Sequence, residues 1–108
     1  MQLNPTQNLA VDILILAFDR ENNSVKIFTP TRKDSNKKAL PGVLLKPNEP
    51  ISDAVQRTLE TKTEFSKLNY RLQELPAQTN PSRDPRGHVI SVPILVFLTE
   101  PTNVDSNW

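Results

Sequence analysis

The stretch LPGVLLKPNEPISDAVQRTLETKTEF, residues 40–65, decides the fold because it changes from a turn to a helical pattern. It begins with a Pro-Gly turn, and from Pro50 onward apolar residues recur at the spacing of an amphipathic helix. The residues of this apolar stripe are Ile51, Ala54, Val55 and Leu59. We predict a helix over residues 50–63 with Pro50 in its first turn, where proline is well tolerated.

The other side of the predicted helix is polar and carries Thr58, Thr61 and Lys62. Residues three and four positions apart are neighbours on a helix, so these three side chains share one face. Carboxylates at the same positions would form a site for a divalent cation, because Mg²⁺ prefers carboxylate oxygens. Two hydroxyls and an ammonium do not provide such ligands. Three interpretations therefore stay open. The helix belongs to an enzyme that has lost its chemistry, to a binding domain that never needed it, or it is an ordinary helix without a functional role.

Residues upstream of the helix predict three extended segments. LAVDILILAF, residues 9–18, is almost continuously apolar, which is typical of a strand buried on both faces. Turn-forming residues 19–24 separate it from VKIFTPTR, residues 25–32, in which apolar residues alternate. This pair predicts a β-hairpin, and residues 39–47 predict a third, short extended segment.

Downstream of the helix the sequence predicts two further strands. Residues 69–78 form the weaker pattern, and HVISVPILVFL, residues 88–98, forms the second strongly buried one. Pro93 has no amide hydrogen, so we expect a bulge or a gap in one ladder of that strand. The order β-β-β-α-β-β, with one central helix, indicates an α/β or α+β domain built on a mixed sheet.

Length and composition limit the number of domains and the class of partner. The 108 residues suit a single domain spanning residues 1–108, with its core at about 9–98 and an irregular tail at 99–108. A net charge of +1 provides no overall field that attracts nucleic acid or membranes. The chain has no cysteine, which excludes disulfides and thiolate sites and suits a reducing compartment.

The apolar segments do not match those of exported or membrane proteins. The N-terminal stretch MQLNPTQNLAVDILILAF has no basic start, and Asp12 interrupts its apolar part, unlike a signal peptide. The longest apolar run, VISVPILVFL, is about half as long as a membrane span. We therefore predict a soluble, cytoplasmic protein.

Two motifs, in the right order, resemble the Nudix superfamily. Its signature is a glycine-rich loop, a glutamate, and a helix with the pattern Arg-Glu-apolar-x-Glu-Glu-x-Gly. The matching residues here are Pro41-Gly42 for the start of the loop, Glu49, Arg57 and Leu59. The later segment PSRDPRGHVISVPILVFL, residues 81–98, resembles a loop and strand of the ADP-ribose pyrophosphatase-like branch. That branch includes the Nudix-related transcriptional regulators of NAD metabolism, and the resemblance covers roughly residues 9–98.

The resemblance implies a Nudix-like α/β/α sandwich with a mixed β-sheet, truncated here at its C-terminal end. It places the family's metal-binding glutamates at the positions of Thr58, Thr61 and Lys62, so the Nudix box is degenerate. Three glycines of the signature are also replaced, by Val43, Asn48 and Glu64. Asn48 can still adopt a left-handed conformation at low cost.

The charges at these positions disfavour metal-assisted hydrolysis. Lys46 stands where many family members have an acid, and Lys62 replaces a glutamate, so both positions change from negative to positive. A Mg²⁺ site needs carboxylate oxygens, and the family's mechanism needs metal ions that activate water and bind the phosphates. We therefore predict no catalytic residue, no metal site and no cofactor, with Mg²⁺ required only by a hydrolase.

Glu49 and Arg57 have a structural role in the family, which the resemblance transfers to this chain. The arginine pairs with the glutamate and braces the loop that precedes the helix. Catalytic relics are the other interpretation of the pair. We predict the bracing role for both residues.

Four basic residues are our candidates for ligand contact. Arg83 and Arg86 flank Asp84-Pro85 in a stiff loop, and arginine forks suit diphosphates. An internal pair between Asp84 and one of these arginines is the structural alternative. Lys62 would hold a phosphate in place of a metal, and Arg32 would add a contact from the basic loop. Solvated surface positions are the alternative for both.

The leading prediction is a catalytically inactive Nudix-like domain that binds a nucleotide diphosphate such as ADP-ribose or a related NAD metabolite. It would act as a sensor, form a homodimer, and reach nucleic acid only through a domain not present in this chain. A weak metal-dependent hydrolase that uses Glu49, Glu60 or Glu64 is the first alternative. A protein-interaction scaffold without a nucleotide ligand is the second.

Overall fold

The segments with alternating apolar residues form one mixed β-sheet, and the amphipathic segment forms a helix that packs on one face of this sheet. The computed structural model describes residues 8–31, 37–80, 89–99 and 107–108. In these ranges the elements are β1 (Asn8–Asp19), β2 (Ser24–Ile27), β3 (Gly42–Leu44), α1 (Ile51–Lys62), β4 (Tyr70–Glu74) and β5 (Val89–Leu98). This order confirms the predicted β-β-β-α-β-β arrangement and the α/β class.

Strand β1 organises the sheet. It pairs antiparallel with β2 through Leu16↔Ile27 and antiparallel with β3 through Ala10↔Leu44. On its other edge it pairs in parallel with β5, which pairs antiparallel with β4. The strand order is β2-β1-β5-β4, with β3 also beside β1, so the sheet is mixed as predicted.

The predicted hairpin between β1 and β2 is confirmed, and Asp19 organises its turn. Its carboxylate accepts hydrogen bonds from the Glu21 amide at 3.1 Å and the Asn22 side-chain amide at 2.8 Å. The Asn22 side-chain bond is the main cause that lowers the pKa of Asp19 below its ordinary value. Asn23 adopts a φ of 50°, a left-handed conformation that asparagine takes more readily than most residues.

The core lies on one face of the sheet, where alternate β1 residues meet the apolar stripe of α1. Its members with at most 1% exposure are Val11, Ile13, Ile15, Ala17, Ala54, Val55, Leu59, Ile94 and Val96. On the other face of β1, Leu14 and Leu16 are half-buried and Phe18 is 46% exposed. The prediction of a strand buried on both faces is therefore wrong for this face, which no described helix covers.

Helix α1 confirms the predicted span to within one residue at each end. Pro50 is its N-cap rather than a member of the first turn, and the Pro50 carbonyl accepts from the Asp53 and Ala54 amides. At the other end Thr63 is extended, and its amide and hydroxyl both donate to the Leu59 carbonyl. With 12 residues, α1 is too short to span a membrane, and the described ranges contain no other helix that could do so.

Pro93 interrupts the ladder between β4 and β5, as predicted. The Leu75 amide donates to the Pro93 carbonyl at 2.9 Å, but proline has no amide to return the bond. In the next pair, Gln78 and Ser91 each donate their amide to the carbonyl of the other. Gln78 lies three positions after Leu75, whereas Ser91 lies only two positions before Pro93. One extra residue therefore bulges opposite the proline.

Three aromatic rings close the end of the core beside β2. The ring centroids of Phe28 and Phe65 are 5.0 Å apart, and Trp108 lies 5.3 Å from Phe28 and 5.5 Å from Phe65. The Thr29 amide also donates to the Asn107 carbonyl at 2.6 Å. Residues 99–108 are predicted to be an irregular tail, but Trp108 at the end of this segment packs against the core.

Candidate ligand-binding site

The loop between β3 and α1 folds back on itself before the helix begins. The Lys46 amide donates to the Glu49 carboxylate at 3.1 Å, and the Glu49 amide donates to the Lys46 carbonyl at 3.1 Å. Asn48 lies between them with a φ of 60°, the left-handed conformation for which its side chain is suited. Asparagine thus takes the left-handed conformation where the signature has a glycine.

Arg57 connects this loop to the helix and to β3. Its Nε donates to Glu49 Oε2 at 3.0 Å, and its Nη2 donates to Glu49 Oε1 and to the Leu44 carbonyl, both at 2.9 Å. The side chains are partly shielded, with 26% exposure for Arg57 and 13% for Glu49. The pair for which the sequence predicts a bracing role is therefore in direct bidentate contact.

The electrostatics of the pair follow from these bonds. The Arg57 hydrogen bond, helped by the Lys46 amide, lowers the pKa of Glu49 from 4.5 to about 2. The same pairing raises the pKa of Arg57. Glu49 is thus an ionised carboxylate that is already committed to an arginine and an amide.

A groove of about 440 Å³ lies beside the loop, between β3, β1 and the end of α1. Its lining residues are Ala10, Asp12, Pro30, Thr31, Ala39, Leu40, Pro41, Gly42, Val43, Leu44 and Lys62. Lys62 is the last residue of α1, and its Nζ donates to the carbonyl of Gly42. The predicted ligand-binding lysine is therefore part of a concave site, whereas Lys46 lies exposed outside its lining.

Thr58 does not share a polar surface with Thr61 and Lys62, which corrects the sequence analysis. It is fully buried, and its hydroxyl donates to the Ala54 carbonyl at 2.8 Å. Its position four residues after Ala54 places it in the apolar stripe, and the helix itself satisfies its hydroxyl. Thr61 is exposed and donates in the same way to the Arg57 carbonyl.

The carboxylates of the hydrolase alternative are not grouped. Glu60 is exposed and accepts a hydrogen bond from the Gln56 side chain at 3.2 Å, and Glu64 is exposed beyond the helix end. Glu49 is held by Arg57. Within residues 8–31, 37–80, 89–99 and 107–108, no three metal-ligating side chains come together. The positions of Arg32, Arg83 and Arg86 lie outside these ranges, so their contact with a ligand stays a prediction.

One feature of the groove was not predicted as a site. Asp12 on β1 lines it, and the Ser91 hydroxyl of β5 donates to Asp12 Oδ2 at 2.5 Å. The available signal was a lone acid in an apolar strand, together with a lone serine in the second buried strand. Only the pairing of the two strands brings them together.

Solved structures similar to this chain are Nudix proteins. A MutT/nudix family protein from Enterococcus faecalis is 25% identical, with a TM-score of 0.70 over 99% of this chain and 43% of that one. The NUDIX domain of NrtR from Shewanella oneidensis, complexed with ADP ribose, is 18% identical, with a TM-score of 0.65 over 93% of this chain and 68% of that one. A bifunctional NMN adenylyltransferase/ADP ribose pyrophosphatase from Francisella tularensis is 24% identical, with a TM-score of 0.60 over 99% and 33%.

No family model and no curated protein matches the chain. This chain spans 43% and 64% of the first two similar structures, so it corresponds to only part of those proteins. The matches nevertheless cover nearly all of this chain and agree with the resemblance that its motifs carry. The chain therefore has the fold of the Nudix superfamily.

Proposed function

We propose that this chain binds a nucleotide diphosphate, such as ADP-ribose or a related NAD metabolite, without hydrolysing it, and acts as a sensor module. The observation that carries the proposal is the position of Lys62. Its ammonium lines the groove and donates to the Gly42 carbonyl, at a position where the family signature has a metal-binding glutamate. A fixed cation is thereby available for a phosphate without a metal.

The side chains around Lys62 favour binding over catalysis. Metal-assisted hydrolysis needs carboxylates that hold a metal ion, and the ion then activates the attacking water. Position 58 instead has a buried hydroxyl, position 61 an exposed hydroxyl and position 62 an ammonium. Protein ammonium groups bind phosphate through charge-assisted hydrogen bonds, but they do not activate water.

The similar structures support the choice of ligand. The Shewanella oneidensis domain is described in complex with ADP ribose, and the Francisella tularensis protein is named as an ADP ribose pyrophosphatase. The first supports recognition of ADP-ribose, and the second keeps hydrolysis as the alternative that an experiment must exclude. In this proposal Arg83, Arg86 and Arg32 add further phosphate contacts.

Calorimetric titration of ADP-ribose, with Mg²⁺ and with a chelator, tests the proposal when the ligand is analysed afterwards. We expect equal affinity in both conditions and intact ligand. Lys62→Gln should weaken binding by about tenfold, which corresponds to about 1.4 kcal/mol. Lys67→Gln is the matched control, because Lys67 is exposed and does not line the groove.

Two other results would overturn the proposal. Cleavage of ADP-ribose to AMP that depends on Mg²⁺ would establish the hydrolase alternative. Absence of binding in both conditions, with a correctly folded protein, would favour the protein-interaction scaffold. Arg83→Ala and Arg86→Ala extend the test, since each should weaken binding if the arginines contact the diphosphate.

The predicted homodimer and cytoplasmic location remain predictions. The feature that bears on the first is the open face of the sheet, on which Phe18, Val25, Ile27 and Phe97 are each at least 37% exposed. Exposed apolar patches of this kind often mark an interface. Sedimentation equilibrium of the wild type and of Phe18→Ser would test the dimer, which should dissociate in the variant if this face forms the contact.

A further inference from the structure

Asp12 and Lys62 approach the same residue of the groove from two sides. In the pairing of β1 with β3, Asp12 lies opposite Gly42. A Cβ at position 42 would fall within 3.0 Å of Asp12 Oδ1, so the carboxylate lies directly against this glycine. The Lys62 ammonium donates to the carbonyl of the same glycine. The groove therefore presents a carboxylate and an ammonium that both lie against Gly42.

The Asp12 carboxylate has acceptor capacity to spare. Ser91, only 4% exposed, donates to Oδ2 and fixes the orientation of the side chain. In the described part of the chain, no group donates a hydrogen bond to Oδ1. An ionised carboxylate accepts about four hydrogen bonds, so Asp12 can accept more from a ligand in the groove.

The two charges demand different groups from one ligand. The ammonium attracts a phosphate, whereas the carboxylate repels it and attracts hydroxyl or amino donors. Since both side chains contact one glycine, the donor must lie close to the phosphate within the ligand. The hydroxyls of a sugar meet this condition, because the sugar carries the phosphate directly, whereas the amino group of a base lies farther away.

We propose that Asp12 accepts a hydrogen bond from a sugar hydroxyl of the ligand and thereby selects sugar phosphates over simple phosphates. The inference rests on the proposed function, since it places the sugar of the same nucleotide diphosphate beside Lys62. Carboxylates bind ribose hydroxyls in this way in dinucleotide-binding folds. Ser91 acts as a positioning residue, because it holds the carboxylate without lining the groove itself.

The test compares three probes on the full chain: ADP-ribose, ribose 5-phosphate and inorganic pyrophosphate. Asp12→Asn keeps the size of the side chain and an acceptor for Ser91, and circular dichroism checks that it folds. It should weaken the binding of ADP-ribose and of ribose 5-phosphate by about tenfold or more, as expected for the loss of a hydrogen bond to a charged group. Its affinity for pyrophosphate should be unchanged or higher, because a nearby negative charge is removed.

Matched variants separate this role from a general effect of charge or stability. Asp53→Asn removes the same charge from an exposed position in the first turn of α1 and should leave all three affinities unchanged. Lys62→Gln should weaken the binding of all three probes, including pyrophosphate. Ser91→Ala, which keeps the carboxylate but frees its orientation, should weaken only the two sugar probes, and by less than Asp12→Asn.

The outcomes distinguish the two proposals. If the wild type binds ADP-ribose and Asp12→Asn binds it equally well, the sugar contact is wrong and the proposed function stands. If the variant binds ADP-ribose more weakly but binds ribose 5-phosphate as well as the wild type does, Asp12 contacts another part of the ligand. The inference is then also overturned. An equal loss for all three probes would indicate a structural role. If the wild type binds none of them, the proposed function fails together with the inference.

Discussion

Arg57 and Glu49 are joined by two side-chain hydrogen bonds, of 3.0 Å and 2.9 Å, although they lie eight positions apart along the chain. The same guanidinium also donates to the Leu44 carbonyl at 2.9 Å. The end of β3, the loop and α1 therefore meet at one side chain. Gly42 in β3 and Lys62 in α1 both line the groove. The Arg57–Glu49 pair therefore holds in place the two elements that carry these residues.

Protonation of Glu49 should weaken this connection in a defined pH range. Its folded pKa is about 2, below the ordinary value of 4.5. Since the folded pKa is the lower one, the ionised carboxylate stabilises the fold above pH 4.5, and this contribution is lost as the pH falls towards 2. We expect Glu49→Gln to lower the urea midpoint near neutral pH, and its difference from the wild type to shrink over that acid range.

A double-mutant cycle identifies the partner. Arg57→Gln removes the donor, so Glu49→Gln should have little further effect in that background. A difference between the wild type and Glu49→Gln that stayed constant down to pH 2 would contradict the role of the ion pair.

Gly42→Ala should destabilise the protein through Asp12. The added methyl would displace the Asp12 carboxylate from its position beside Ser91 and would also approach the Val11 carbonyl at 3.2 Å. Overpacking of this kind costs about 1–3 kcal/mol. Urea unfolding should show a smaller loss when the same substitution is made in an Asp12→Ala background. Equal losses in the two backgrounds would mean that the methyl collides with the backbone rather than with the carboxylate.

Thr58 should contribute through its methyl group rather than its hydroxyl. The side chain is fully buried, and its hydroxyl donates to a helix carbonyl. Thr58→Ser leaves a methyl-sized void and should cost about 1 kcal/mol, whereas Thr58→Val keeps the shape and should cost less. Thr58→Val should also leave ADP-ribose binding unchanged, because the hydroxyl does not face the groove. Weaker binding by this variant would place Thr58 in the site after all.

Trp108→Ala should lower stability although the residue is the last of the chain. It would remove contacts with the rings of Phe28 and Phe65, and for a half-buried aromatic we expect a loss of about 2 kcal/mol. Circular dichroism in urea is the suitable measurement, since Trp108 is the only tryptophan and the variant has no indole emission. Leu72→Ala, at a 41% exposed position in β4, is the control and should cost less.

The sequence predicted the elements well because their signals are local. Alternation and β-branched runs identified the strands, and the stripe that begins at Ile51 identified α1. The residue type of Thr58 misled the prediction of the polar face, since a hydroxyl satisfied within its own helix can be buried at little cost. The burial of β1 was overestimated, because an apolar sequence does not show which faces are covered.

The site was predictable only where a motif spans a short segment. Glu49 and Arg57 lie in one such segment, and the resemblance to the Nudix signature implied their contact. Asp12 and Ser91 lie 79 positions apart, and only the parallel pairing of β1 with β5 brings them together. No local pattern in the chain specifies that pairing. The same holds for Trp108, whose partners Phe28 and Phe65 lie far upstream.

The parallel pairing of β1 with β5 also affects how the chain folds during synthesis. The ladder that runs from Asn8↔Val89 to Leu16↔Phe97 joins segments about 80 residues apart, and it forms the middle of the sheet. Such non-local closure gives a high contact order, which is typical of slow folding. As the ribosome makes the chain, β1 emerges before β5 and waits for its partner until the residues between the two strands have been made. We therefore expect β1 to be the segment most prone to aggregation in the nascent chain.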